Sequence, residues 1–320
     1  MSGRNEAYRI ESKLGQGGSG EVYKAWHDSL GKHVAIKEVM HDCPVGSKGA
    51  RNEFLAMNNI RSPYVPKVFA FLEKGSRSIL VMELVEGESL DKLLALRRKI
   101  DQPQVAKWYG QLASALVAIH RENVAHRDIK PSNIIATRSG EVCLVDFSAA
   151  IVGVKNETKF LSRSPGYASP EQNEAFRLMN ICTGRMNPRP MCAQQMSSHP
   201  AGALPMDHGD TETDFANTGH TGCSSGSEFI AQPTMRTIDW KRSDIYSLGA
   251  SIYHLLTGSR PHEHANVLAP ISQFGRFDDH IAYLVDRSMR IDPSERFGSA
   301  KQLAAAMRAG AFFRPPAARY

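Results

Sequence analysis

A chain of 320 residues is long enough to bury a large core, in one domain or in two lobes. Its 39 Lys and Arg against 33 Asp and Glu leave a formal charge of +6. That charge is spread along the chain, with Arg97-Arg98-Lys99 the densest cluster, so it points to neither a nucleic-acid nor a membrane partner.

Hydrophobic residues make up 42%, yet no run approaches the ~18 apolar residues of a membrane span. The opening stretch from Met1 to Lys13 has no signal-peptide core, and the expectation is a soluble, cytoplasmic chain. Five cysteines, at 43, 143, 182, 192 and 223, form no Cys-x-x-Cys pair and predict reduced thiols rather than a disulfide framework or zinc ribbon. Oligomeric state is not legible.

From Tyr8 to Glu83 the pattern is short β-branched and aromatic runs: Tyr8 to Ile10, Glu21 to Tyr23, Val34 to Ile36, Val68 to Phe71 and Ile79 to Met82. One helical stretch interrupts them, where Phe54, Leu55, Met57 and Ile60 recur near helical spacing. Beyond Gly87 the periodicity is mainly helical. Val105, Trp108, Leu112, Ala115, Leu116 and Ile119 form one apolar stripe; Ile245, Leu248, Ile252, Leu255 and Leu256 form another. Two short strands, Ile134 to Ala136 and Val142 to Val145, are joined at Ser139-Gly140, and a helix from Ala300 to Arg308 follows. Residues 173–236, rich in Gly, Ser, Thr, Asn, Gln and Pro, read as a flexible insertion.

The run Leu14-Gly15-Gln16-Gly17-Gly18-Ser19-Gly20-Glu21-Val22 is a G-x-G-x-x-G-x-V loop between two strands. Glycines let backbone N–H groups fold closely over phosphates. A dinucleotide loop should lead into a helix, whereas Val22 and Tyr23 continue as strand; alone, the run is also compatible with an ordinary glycine-rich hairpin. Val34-Ala35-Ile36-Lys37 then places an ammonium group facing whatever the loop covers, with Glu53 on the first helix as its natural partner. The specific stretch is His126-Arg127-Asp128-Ile129-Lys130-Pro131-Ser132-Asn133, followed by Asp146-Phe147-Ser148.

In this order and spacing the residues resemble the eukaryotic-type (Hanks-type) Ser/Thr protein kinase family. Downstream, Ser164 to Glu171 is similar to the family's substrate-docking segment, with Ser169 in place of Ala. Ser243 to Gly249 is similar to its buried supporting helix, and Arg296 to the arginine that pairs with Glu171. Phrases such as Leu255-Leu256-Thr257-Gly258 resemble bacterial members.

The resemblance implies an α+β, bilobal fold: an N-lobe of antiparallel sheet and one main helix over 8–82, a hinge at 83–86 and a mainly helical C-lobe over 87–313. It further implies γ-phosphoryl transfer from ATP to Ser or Thr of protein substrates, with a capacity for autophosphorylation, using Mg²⁺ or, as an alternative ion, Mn²⁺. Lys37, held by Glu53, would grip the α- and β-phosphates; Asn133 and Asp146 would hold metal; Asp128 would accept the hydroxyl proton; Lys130 would neutralise the transferred group. Around the nucleotide the resemblance places Gly15, Gly17 and Gly20, then Leu14, Val22, Ala35, Ile135 and Met82 at the adenine, with the Glu83 and Val85 backbones as hinge groups. Those apolar positions read equally well as plain core.

Glu171, Asp244 and Arg296 are structural in this scheme. Arg127 beside Asp128 implies control by activation-loop phosphorylation, at Thr158 first and Ser162 second. Ser148, where the family has glycine, is expected to alter switching more than magnesium affinity. Two rivals stay open: a nucleotide-binding scaffold without catalysis, and a small-molecule phosphotransferase of the same fold. Retention of Lys37, Glu53, Asp128, Lys130, Asn133 and Asp146 weighs against the first, and the Ser-Pro-Glu segment with Arg296 against the second.

Overall fold

The computed structural model describes residues 8–17, 20–40, 44–96, 100–153, 163–182, 238–261 and 269–310. Its N-terminal part is a five-stranded antiparallel sheet of β1 (Tyr8–Gly17), β2 (Gly20–His27), β3 (Lys32–Met40), β4 (Val68–Lys74) and β5 (Arg77–Glu83), in the order β1-β2-β3-β5-β4. Helix α1 (Pro44–Met57) packs against β3, β4 and β5.

The register sorts the sheet's side chains by face. Val22 lies opposite Lys37, Lys37 opposite Leu80 and Ala35 opposite Met82, so these five residues share one face. The alternate residues Ala25, Val34, Ile36, Ile79 and Val81 pack with Tyr8 into a separate small core on the other face. One side of the sheet is thus closed by its own apolar residues, and the other is turned toward the rest of the chain.

The C-terminal part is built around α3 (Gln102–Arg121) and α5 (Trp240–Thr257). Asp101 caps the first, accepting a hydrogen bond from the Gln104 N–H at 3.1 Å, and Asp239 caps the second through the Arg242 N–H at 3.1 Å. Helix α5 stops at Gly258, whose φ of 72° is the left-handed conformation of a helix-ending glycine. The apolar stripes of both helices are buried in one large core that reaches across to Met57 and Leu80 of the sheet-and-helix part. Each fully buried Leu or Ile there stabilises by about 1.5–3 kcal/mol.

Shorter elements complete this part. They are β6 (Gly87–Ser89), α2 (Leu90–Ala95), β7 (Val124–Ala125), β8 (Ile134–Thr137), β9 (Val142–Leu144), β10 (Ile151–Val152), α4 (Pro170–Cys182), α6 (Asp279–Ser288) and α7 (Ala300–Arg308). Strands β6, β8 and β9 form a three-stranded sheet, and β7 pairs with β10.

The five sheet strands and helices α1, α3, α5 and α7 overlap the stretches the sequence pattern gives, whereas α2 and α6 were not read from it. Helix α4 is a difference: it runs through Cys182, so residues 173–182 are regular structure rather than the start of an insertion. Ala175 is buried on it, and Arg177 pairs with Glu174 one turn earlier. Residues 183–237, the remainder of that span, lie outside the described residues. No described helix is long and apolar enough to cross a membrane.

Candidate active site

Lys37 sits on the sheet face turned toward the C-terminal part and is only 3% exposed. Its Nζ donates to Glu53 Oε1 and Oε2 at 2.9 and 2.8 Å and to Asp146 Oδ1 at 2.8 Å. Three segments far apart in sequence therefore meet at one ammonium group. Burial alone would push Lys37 down, but the Glu53 and Asp146 carboxylates outweigh it and hold the lysine above its ordinary value. Burial would likewise raise Asp146, and Lys37 together with a hydrogen bond from Ser148 keeps it below the usual carboxylate range. The result is an ionised carboxylate, partly open to solvent, fixed beside a cation.

The strand β7 delivers the chain to His126, Arg127 and Asp128, all buried. Arg127 has φ 67° and Asp146 φ 63°, both left-handed, at a cost of about 1–2 kcal/mol each. Asp244, fully buried on α5, holds the first of these bends: Oδ1 accepts the Arg127 N–H at 2.8 Å, and Oδ2 accepts the His126 N–H at 2.9 Å. His120 Nε2 lies 3.0 Å from the same Oδ2. Phe147 is fully buried with its ring 4.5 Å from that of His126. Burial depresses His126, which stays neutral; its Nδ1 accepts the Asp128 N–H at 3.3 Å while Nε2 faces the Val145 carbonyl.

Around Asp128 the geometry is tight. Ser164 Oγ donates to Asp128 Oδ1 at 2.6 Å, and Lys130 Nζ donates to Asp128 Oδ2 at 2.8 Å and to Ser164 Oγ at 2.9 Å. Asn133 Nδ2 donates to the Asp128 carbonyl at 2.9 Å and to Oδ2 at 3.2 Å. The Asn133 amide nitrogen is thereby committed to the loop, and its carbonyl oxygen is the group left for a cation. Hard oxygen donors from Asn133 and from an ionised Asp146 are the kind magnesium takes, so the residues fit such an ion.

The glycine loop closes β1 onto β2, with Gly17 opposite Gly20. Gly20 has φ 121°, and a Cβ there would come within 2.4 Å of the Glu38 carbonyl oxygen, so that position admits only glycine. At Gly15 and Gly17 a Cβ would meet nothing within 4 Å; the fold does not demand glycine there, and the backbone is open to approach. Of the proposed adenine residues Ala35 is buried, Val22, Ile135 and Met82 are half-buried, and Leu14 is 50% exposed. Four of the five are thus not filled-in core. The Glu83 N–H is already donated to the Lys67 carbonyl at 2.8 Å, and Val85 is half-buried beside it.

The segment after Ser164 is anchored from α5 and beyond. Gly166 has φ 81°, and a Cβ on it would strike the Pro261 carbonyl oxygen at 2.3 Å. Tyr167 Oη lies 2.7 Å from His254 Nδ1, and Arg260 Nε donates to the Pro165 carbonyl at 3.0 Å. Arg296 then grips Glu171 with both terminal nitrogens, at 2.7 and 2.8 Å.

Residues 8–175 match the family described as the protein kinase domain. The chain belongs to that family. It is similar to the serine/threonine-protein kinase pkn2 of Myxococcus xanthus, 34% identical over 177 residues that are 52% of this chain and 21% of that relative. It is equally similar to the serine/threonine-protein kinase PknH of Mycobacterium tuberculosis, 34% identical over 172 residues, 52% of this chain and 27% of that relative. The serine/threonine-protein kinase PknD of Chlamydia muridarum aligns along more of the chain, 24% identical over 327 residues, 94% of this chain and 31% of that relative. The chain thus spans less than a third of the length of each. The kinase domain as a family uses ATP with a divalent metal ion.

The kinase domain brings Lys37, Glu53 and Asp146 into one cluster and Asp128, Lys130, Asn133 and Ser164 into another, with the two joined through His126 and Phe147. Thr158 and Ser162 lie outside the described residues. Arg127, the residue expected to link the catalytic loop to phosphorylation, is 3% exposed, with its guanidinium 4.4 Å above the Trp240 ring.

Sequence reasoning missed several supports. Gln172 Nε2 donates to the Arg127 carbonyl at 2.9 Å, and Ser169 Oγ lies 2.8 Å from Ser243 Oγ, which itself reaches Gln172 Oε1 at 3.4 Å. Ser169 therefore has a polar role that the family's alanine lacks. Trp240 precedes Asp244 by one helical turn, the spacing that sets both on the face of α5 toward Arg127; that periodicity was the available signal.

Proposed function

We propose that this chain is an ATP-dependent protein-serine/threonine kinase, requiring Mg²⁺ and able to phosphorylate itself. The observation that carries the reading is the convergence on Asp128: a lysine, a serine hydroxyl and an asparagine amide all bond its carboxylate, while Lys37 is held between two acids, one of them the Asp146 that follows the same part of the chain. Phosphoryl transfer needs positioning and charge neutralisation more than covalent help, and this arrangement supplies both.

In the proposed step the substrate hydroxyl gives its proton to Asp128 as its oxygen bonds the γ-phosphorus, and the bond from that phosphorus to the β,γ-bridging oxygen breaks to release ADP. Lys130 offsets charge on the transferred group. Lys37, kept protonated by Glu53 and Asp146, binds the α- and β-phosphates under the glycine loop. Asn133 and Asp146 hold the magnesium ions, which neutralise phosphate charge when bound. The adenine lies among Leu14, Val22, Ala35, Met82 and Ile135, with Glu83 and Val85 as its polar contacts.

A protein substrate is favoured by the segment from Ser164 to Glu171, which Arg260, His254 and Arg296 hold in place beside Asp128. The similarity to serine/threonine-protein kinases supports Ser and Thr as acceptors. Regulation is proposed through phosphorylation of Thr158 or Ser162, acting on the loop that carries Arg127. A cytoplasmic location accords with the composition.

Phosphoamino-acid analysis and mass-spectrometric site mapping after incubation with ATP and Mg²⁺ test this reading. Phosphoserine or phosphothreonine, reduced when Mg²⁺ is omitted and including Thr158 or Ser162, is expected. Phosphotyrosine alone, or phosphate on a small molecule and never on protein, contradicts it.

A further inference from the structure

The kinase domain's catalytic loop carries a second attachment to α5 beyond the carboxylate of Asp244. The Arg127 guanidinium lies over the Trp240 ring, 4.4 Å from its centroid, in a position where Arg127 is almost wholly buried. Trp240 and Asp244 are i and i+4 on one helix, so a single helix face takes the residue by its backbone N–H and by its side chain. Gln172, from α4, takes the carbonyl of the same residue. Among the described residues, these are three points of attachment for Arg127.

Such a hold has a physical reason. Arg127 adopts φ 67°, a strained conformation for a long side chain, and persists there only if its surroundings fix it. Burial draws its guanidinium down to about 10, against the opposing pull of Asp244, so the charge benefits from any further stabilisation the site offers. The face of an indole provides that stabilisation most strongly when the pair is desolvated. The next residue in the chain is Asp128, whose carboxylate must stay aligned with Lys130 and Ser164 to within ordinary hydrogen-bond distances.

We propose that Trp240 is a positioning residue for phosphoryl transfer: its ring clamps Arg127 and through it fixes the orientation of Asp128. The idea rests on the kinase reading above. It predicts that the face of an aromatic ring, and not merely its volume, is required. Trp240→Phe keeps a ring face over the guanidinium; Trp240→Leu keeps an apolar side chain there without one.

The test compares wild type, Trp240→Phe, Trp240→Leu and Asp128→Asn, all treated with phosphatase first so that covalent phosphate is not a variable. Initial rates of transfer from ATP to a degenerate Ser/Thr peptide mixture are measured with thermal melting of each variant. Trp240→Phe is expected within about 2-fold of wild-type kcat, and Trp240→Leu to lose about 3- to 30-fold in kcat with KM for ATP unchanged. In an Arg127→Met background, Trp240→Leu should add no further loss, because the pair acts as a unit.

Wild-type kcat in Trp240→Leu, an equal loss in Trp240→Phe, a defect confined to KM for ATP, or an additive double variant each overturns the proposal. Should Trp240→Leu fail to melt cooperatively, the Phe variant and the Arg127→Met rate decide it: no loss of kcat on removing the guanidinium sinks the clamp. A wild type no faster than Asp128→Asn is a different outcome, and overturns the kinase reading itself.

Discussion

Arg296 and Glu171 meet side by side, Nη1 to Oε1 at 2.7 Å and Nη2 to Oε2 at 2.8 Å, with the guanidinium entirely buried and the Glu171 side chain 18% exposed. The same arginine also donates to the carbonyls of Arg290, Arg242 and Ile291 and lies over the Tyr246 ring. One side chain therefore ties α4, α5 and the turn before α7 together. Removing a partner from a buried pair leaves a charge uncompensated, a loss of about 3–5 kcal/mol. Arg296→Met should lower the denaturant midpoint by that much, and Glu171→Gln by less, since the amide oxygen keeps one bond. Equal stability of Arg296→Met and wild type would show the pair to be dispensable.

The hydroxyl of Ser169 reaches Ser243 at 2.8 Å and the Gln172 N–H at 3.3 Å, and Gln172 in turn holds the Arg127 carbonyl. Ser169→Ala removes both hydroxyl bonds and leaves a buried Ser243 short of a partner, at about 0.5–1.5 kcal/mol. Urea denaturation should register that loss, together with a few-fold fall in kcat transmitted through Gln172. A variant as stable and as fast as wild type would mean the serine is a neutral replacement for alanine.

Ser148 supports the Asp146 carboxylate with a hydrogen bond, a link the sequence did not reveal when it suggested an effect on switching larger than that on magnesium affinity. Ser148→Gly frees the backbone and also removes this support. The KM for Mg²⁺ should rise about 2- to 10-fold, the equivalent of one hydrogen bond of 0.5–1.5 kcal/mol. Steady-state rates across a magnesium titration measure it; an unchanged KM returns the residue to a conformational role only.

His126 is buried and neutral, its folded value depressed below the ordinary 6.5 of an unfolded chain, and burial with Arg260 nearby depresses His254 in the same direction. Where the unfolded state binds the extra proton, stability rises with pH. The contribution is complete above about pH 6.5 and is lost as pH falls through that value toward the folded one, by at most about 1.4 kcal/mol per pH unit for each histidine. Melting temperatures between pH 8 and 5 should be flat and then decline, and His126→Phe should flatten the decline. A protein that gains stability on acidification over this window contradicts the neutral, buried imidazole.

The long elements and the charged cluster were legible in sequence because each leaves a local signature. Val34 to Ile36 is a short β-branched run, and Lys37 could be matched to Glu53 because the residues around each form recognisable runs; the contact of Lys37 with Asp146 was not read from the sequence. The three-stranded sheet of β6, β8 and β9 was only half visible, since Gly87–Ser89 is too short for any period to emerge. Helix α4 was misjudged from Asn173 onward because its composition is polar, although Ala175 and the Glu174–Arg177 pair mark helical spacing. Contacts such as Trp240 with Arg127, or Ser169 with Ser243, join residues more than seventy positions apart and depend on how α5 is rotated about its axis. Pattern alone does not set that rotation; the packing of its apolar stripe does.

The central claim is that Asp128 and Lys37 act together to move a phosphoryl group. Incubating wild type, Asp128→Asn and Lys37→Met with γ-labelled ATP and Mg²⁺ measures this directly. Label should enter protein with wild type only, and each variant should fall by about 10²-fold or more, the cost of removing one preorganised catalytic contact. Label incorporated at equal rates by all three proteins would contradict it.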